Sequence, residues 1–222
     1  GGACQCRSVK RMYGYRRCPA PVALRIARKL CDRHGVELIL PDDPRRLALV
    51  VLVAQAHRIQ GTGVTYDRVR DGVTTTLPGV PSAASSLLSL VPAIGPELAQ
   101  IARTNGRPAI YPSPEAMADG ARFLATMWHE LGHVGTIRHG GLAWCLAYLV
   151  ADEARAAGEA PCFGAALSAA VAMGADVDTE AARAKDSLTR YGLGPEALAT
   201  AHALIDSARE SVRAGDFGGV QD

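Results

Sequence analysis

Residues His129-Glu130-Leu131-Gly132-His133 constrain this chain more than any other stretch. On an α-helix, side chains four apart lie one above the other, so His129 and His133 can offer two imidazole nitrogens to a single ion. That is half of a tetrahedral zinc (Zn2+) site. Glu130 follows the first histidine directly and reaches the edge of the same cleft, where a carboxylate can take a proton from a water activated by the ion. The pattern H-E-x-x-H works only on a helix, and its flanks predict one. Pro114 stands in a first turn behind Ser113, Glu115 supplies an early acid, and Phe123, Met127 and Leu131 recur at four-residue spacing as a buried stripe.

A catalytic zinc takes three protein ligands and keeps a fourth position for water. Glu153 lies twenty residues past His133, on a helix expected to return after the break at His139-Gly140-Gly141. His139, Asp152, Glu159 and the absence of a third ligand stay open as alternatives. His139 has the six-residue spacing of a third metzincin histidine, with Ala172-Met173-Gly174 as the matching methionine turn, although Thr136 stands where that pattern has glycine. For a second donor to a developing oxyanion, the candidates are Tyr148, His139, Tyr191 and His202.

The interval between His133 and Glu153 resembles that of thermolysin-like gluzincins. The run Arg107 to Val134 contains Ala109-Ile110-Tyr111-Pro112-Ser113-Pro114, Arg122-Phe123-Leu124-Ala125-Thr126 and the motif itself. It resembles the zincin domain of ArdC-type anti-restriction proteins and related phage or plasmid metallopeptidases, and it is similar to the ImmA/IrrE-type regulatory peptidases. The likeness extends to Tyr148 to Glu153 and implies a compact zincin fold with a glutamate as third ligand. The expected fold class is α+β and helix-rich, with a small sheet beside the motif helix. The expected function is zinc-dependent hydrolysis of peptide bonds in a protein or peptide substrate, with Glu130 as general base and His129, His133 and Glu153 on the metal.

Around the motif the chain divides into a basic, cysteine-rich arm with a first helix (1–34) and a zincin-like body (35–222). Val22 to Arg33 reads as a helix with Val22, Ile26 and Leu30 on one face and His34-Gly35 as its stop. Val36 to Leu40 suits a strand, and Asp43-Pro44 opens a helix with Leu47 to Ile59 as its body. Val73 to Leu77 is a second strand. Ala109-Ile110-Tyr111 is a third, expected at an edge where a substrate backbone could pair with it. The turns Pro78-Gly79-Val80-Pro81 and Pro92-Ala93-Ile94-Gly95-Pro96 each lead into a helix. The second resembles a helix-hairpin-helix turn, in which backbone amides contact a DNA phosphate. After the motif come helices over Leu142 to Ala157, ending at Gly158 to Pro161, then Phe163 to Met173, Thr179 to Tyr191, and Pro195 to Ala214 with Leu198, His202, Ile205 and Val212 on one face.

Charge is uneven although the net is only +2. Residues 1–34 carry nine Lys or Arg against the single acid Asp32, whereas residues 151–222 carry six bases against twelve acids. The arm can therefore bind nucleic acid, or dock on the acidic half. The competing reading of the chain follows from it: a nucleic-acid-binding or anti-restriction-type module on a zincin-like scaffold with little or no peptidase activity. Four of six cysteines, Cys4, Cys6, Cys18 and Cys31, fall in the arm, and their spacing does not choose among disulfides, a second zinc site and free thiols. A deaminase is set aside, because Pro161-Cys162 lacks the second cysteine of P-C-x-x-C. The longest apolar run, Leu47 to Ala54, is too short for a membrane span. With no signal peptide at Gly1-Gly2-Ala3, the expected place is the cytoplasm, a processed start and secretion being left open.

Overall fold

A computed structural model describes residues 18–59, 65–72, 74–77 and 107–218. The arm up to Arg17, with Cys4 and Cys6, and both proline-glycine turns with the helices they lead into lie outside them. Among these residues the fold is helix-rich, with a three-stranded sheet. It divides into two compact units, one of residues 28–118 and one of residues 1–27 with 119–222, where the sequence suggests a boundary at 34/35. No helix among the described residues is long and apolar enough to cross a membrane.

Helix α1 (Ala20–Arg33) precedes the sheet. It ends where expected: Gly35 takes φ 60° and the Val36 amide returns 2.8 Å to the Cys31 carbonyl, a bond that closes a helix C-terminus. In the 28–118 unit, β1 (Glu37–Leu38) runs parallel to β3 (Ala109–Tyr111), and β2 (Thr75–Leu77) runs antiparallel on its other side. β3 is therefore the central strand, not an edge. Its residues are fully buried and both of its backbone edges are paired, so it offers no substrate a free edge. Its apolar side chains pack with Ile39 and with Ala48 and Leu49 of α2 (Pro44–Ile59). Asp43 opens α2 by accepting from the Arg45 amide at 2.8 Å, and the Arg45 guanidinium bridges Asp43 and Glu37. α3 (Tyr66–Gly72) and a short α4 (Pro114–Met117) are the other described helices of the unit.

Ser113 and Pro114 start only that short helix. Ser113 caps it by accepting from Ala116 at 3.1 Å, and the helix stops at Ala118. The motif helix α5 (Gly120–Val150) has its own cap: the Asp119 carboxylate accepts from the amides of Ala121 and Arg122, both at 3.0 Å. Gly120 is required at this entry, because a Cβ there would lie 2.4 Å from the Cys18 carbonyl oxygen. The stripe Phe123, Met127 and Leu131 is buried as expected.

Two breaks differ from the sequence expectation. The glycine pair does not end α5; Gly141 alone leaves helical geometry (φ 56°, ψ −150°), and helix resumes beyond it. The true end is Ala151, extended at φ −123°, after which α6 (Asp152–Ala172) runs through Gly158 and Pro161. Proline forfeits one backbone bond there, but its neighbours Ala160 and Cys162 are 1% and 2% exposed, so packing holds the helix across it. The new start is anchored by Asp152, whose carboxylate accepts from the Gly194 amide at 2.6 Å and from Arg155 at 2.7 Å. α7 (Val177–Leu188), a 3-10 turn (Thr189–Tyr191) and α8 (Pro195–Arg213) follow. They pack on α6 through Ala156, Ala160, Leu167, Ala181, Ala184, Leu188, Ala197, Ala201, Ile205 and Val212, a core whose many alanines allow close helix approach.

Candidate metal centre

The α5 motif and the second turn of α6 meet at one buried spot. His129 is 8% exposed, and the side chains of His133 and Glu159 are 12% and 2% exposed. The two Nε2 atoms face each other at 3.1 Å. Glu159 faces the two rings with different oxygens, Oε2 3.3 Å from His129 Nε2 and Oε1 3.4 Å from His133 Nε2. Among the described residues these three form a cluster able to hold a metal ion.

The distances themselves test the fit. Ligands about 2.0–2.1 Å from zinc at tetrahedral angles stand about 3.4 Å from one another, close to the separations of His129 Nε2 from His133 Nε2 and from Glu159 Oε2, and one donor atom from each of the three residues fits within 4.8 Å of the others. Oε2 of Glu159 is buried with no hydrogen-bond donor, near His129 but not aligned for a bond. A buried carboxylate oxygen with no donor is costly unless a cation meets it. Two imidazoles and one carboxylate also suit zinc chemically.

Electrostatics in the metal-free protein follow from the same crowding. Burial works against charge on His133, but its contacts with Cys162 and Glu159 outweigh burial and push the imidazole up to about 11. Burial likewise opposes ionisation of Glu159, yet its histidine contacts hold the carboxyl well below the usual range. Tyr148 donates a short hydrogen bond to Glu159 Oε1, and burial beside that carboxylate raises the phenol far above its ordinary value.

A cleft of about 220 Å³ opens beside His129, in the unit that holds it. Glu130 and His129 form part of its wall with Phe163 and Tyr191, and Arg122 and Arg183 stand at its rim. Glu130 is 5% exposed. Phe163 packs edge-on against the His129 ring at 4.5 Å and against Tyr191 at 6.1 Å. Burial, with Glu159 nearby, keeps the Tyr191 phenol protonated.

The other sequence candidates stand elsewhere. Glu153 is exposed in the first turn of α6, and the carboxylate beside the histidines is Glu159, six residues on. Asp152 is held by Gly194 and Arg155. His139 is exposed and bonds through Nδ1 to the Gly135 carbonyl of its own helix at 2.8 Å. Met173 is buried at the C-terminal cap of α6. His202 lies one turn before Asp206 on α8 and does not line the cleft. Tyr148 and Tyr191 are the two candidates that reach the centre. Sequence reasoning passed over Cys162, whose Sγ lies 3.5 Å from His133 Nδ1. Its signal was the i, i+3 relation to Glu159, which places both on one face of a helix.

No protein-family profile, curated protein or solved structure matches this chain.

Proposed function

We propose that the chain is a zinc-dependent peptidase of zincin-like design, with His129, His133 and Glu159 as the metal-holding residues and Glu130 as general base. The observation that carries this reading is the convergence of one donor atom from each of three residues, all within 4.8 Å of one another, beside a cleft walled by Glu130. When bound, zinc supplies a Lewis acid that acidifies water and polarises a carbonyl oxygen. Glu130, next to His129 and facing the cleft, takes the proton of the attacking water and delivers it to the leaving amine, a role worth about 10²- to 10⁴-fold in rate. Tyr191, protonated and on the same wall, is placed to donate a hydrogen bond to the carbonyl oxygen as it gains charge. Tyr148 acts from behind, holding Glu159 Oε1 and so fixing that carboxylate.

Metal content separates the roles. Protein purified without added zinc is expected to carry close to one zinc per chain by plasma emission, Glu130→Gln to keep it while losing peptide hydrolysis, and His133→Ala to lose both. A wild-type chain that neither carries nor takes up zinc would overturn the proposal.

A further inference from the structure

We infer that Cys162 is the positioning residue for His133: its sulfur accepts a hydrogen bond from Nδ1–H and thereby turns the unprotonated Nε2 toward Glu159 and His129. This rests on the metal-binding reading of the site and goes beyond it by naming what holds a ligand in its working form.

A neutral imidazole carries its proton on one nitrogen only, and the partner of the other nitrogen decides which. His133 Nε2 faces two groups, His129 Nε2 at 3.1 Å and Glu159 Oε1 at 3.4 Å, and the carboxylate would draw the proton to that side. A proton there would block the lone pair an ion needs. The opposing pull comes from the 3.5 Å contact between Nδ1 and Cys162 Sγ, within range for a sulfur hydrogen bond. Metal-bound histidines usually find a carboxylate or carbonyl for this purpose; here the group is a thiol, 2% exposed.

Local geometry makes the contact a built one. A Cβ on Gly132 would lie 2.7 Å from Cys162 Sγ and 3.4 Å from its Cα, so only glycine lets α6 come this close to α5. Glu159 and Cys162 are three residues apart on α6, while His129, Gly132 and His133 share the facing side of α5. One helix therefore supplies the carboxylate to Nε2 and the sulfur to Nδ1 of the same ring.

The test uses the full chain in two states. In metal-free protein, where His133 holds both ring protons, ¹⁵N–¹H spectra of the imidazoles report whether its Nδ1–H is hydrogen-bonded. Wild type and Cys162→Ser are expected to show a downfield, slowly exchanging Nδ1–H, and Cys162→Val, near in size but unable to accept, to lose it. In a competition titration against a chromogenic chelator, Cys162→Val is expected to bind zinc 10- to 100-fold more weakly, and Cys162→Ser to stay within about threefold of wild type. Circular dichroism of the metal-free variants checks that each is folded. A Val variant with wild-type affinity and an unchanged Nδ1–H signal would overturn the inference, and so would equal losses in folded Ser and Val variants, since a packing defect ignores hydrogen bonding. Failure of wild type to bind zinc would instead sink the metal reading, and the metal-free spectra would still decide the role of Cys162.

Discussion

Glu159 shows at the scale of a single residue how a buried charge finds its use. Its Oε1 is engaged by Tyr148 and its Oε2 has no donor, so the half of the carboxylate left over is the half that faces His129. Replacing Glu159 by Ala is expected to lower zinc affinity at least 100-fold in the chelator titration, whereas Glu153→Ala, at an exposed position, leaves it unchanged; the reverse pattern would return the third corner to Glu153. The same contacts give a pH signature. Glu159 is depressed from its ordinary 4.5, so its share of stability is present above that value and fades as pH falls through the lower native one. His133 is raised from 6.5 to about 11, so its share is complete below 6.5 and lost as pH rises toward 11. Metal-free protein should therefore gain most from this contact between about pH 4.5 and 6.5, read as the melting temperature in chelator across pH. Zinc affinity should climb through the alkaline side instead, because binding must expel the His133 proton. A metal-free melting curve with no alkaline decline would contradict the ion contact.

At the scale of elements, the site depends on α5 keeping its direction past the histidines and on α6 returning against it. Gly141 sets that path with a backbone conformation (φ 56°, ψ −150°) that residues with a Cβ avoid, although a Cβ there would touch nothing within 4 Å. Gly141→Ala is expected to cost about 1–3 kcal/mol through the backbone alone, measured by denaturant unfolding of metal-free protein. A more stable variant would mean that α5 can straighten without penalty. Beyond the kink, Trp144 and Tyr148 lie over Gly158, where a Cβ would come within 2.7 Å of the indole. That close seating brings Tyr148 onto Glu159 and explains why a Gly and a Pro one turn apart stand inside α6 and do not end it.

At the scale of the whole molecule, the basic arm and the folded body divide differently than charge alone suggests. Cys18 and Ala23 are 7% and 0% exposed and pack at the Gly120 entry of the motif helix. Residues 18–33 therefore belong to the folded structure, and a deletion meant to remove only the arm should stop at residue 17. Loss of residues 1–34 is expected to destabilise the unit that carries the site and lower its melting temperature, while loss of residues 1–17 leaves zinc binding intact. If the arm binds nucleic acid, the shorter deletion removes affinity that falls steeply with salt, through lost counterion release. Equal DNA binding by the intact and 18–222 chains would dismiss the arm as a nucleic-acid contact.

The legible parts of this protein were those with a local cause. The angular phase of His129, Glu130 and His133 follows from the helical repeat, so a facing pair of imidazoles could be read from five letters, and the buried stripe of α5, the stop at Gly35 and the start of α2 at Asp43 follow from equally short-range rules. The third corner could not be read that way. Which carboxylate meets the histidines depends on where α5 truly ends, at Ala151 and not at Gly140-Gly141, and on how deep Gly132 lets Cys162 approach. Those are contacts between chain positions about 30 residues apart, settled by packing. Short-range rules thus fix what chemistry the motif helix can offer, whereas the residues of the facing helix that meet it follow from interhelical packing.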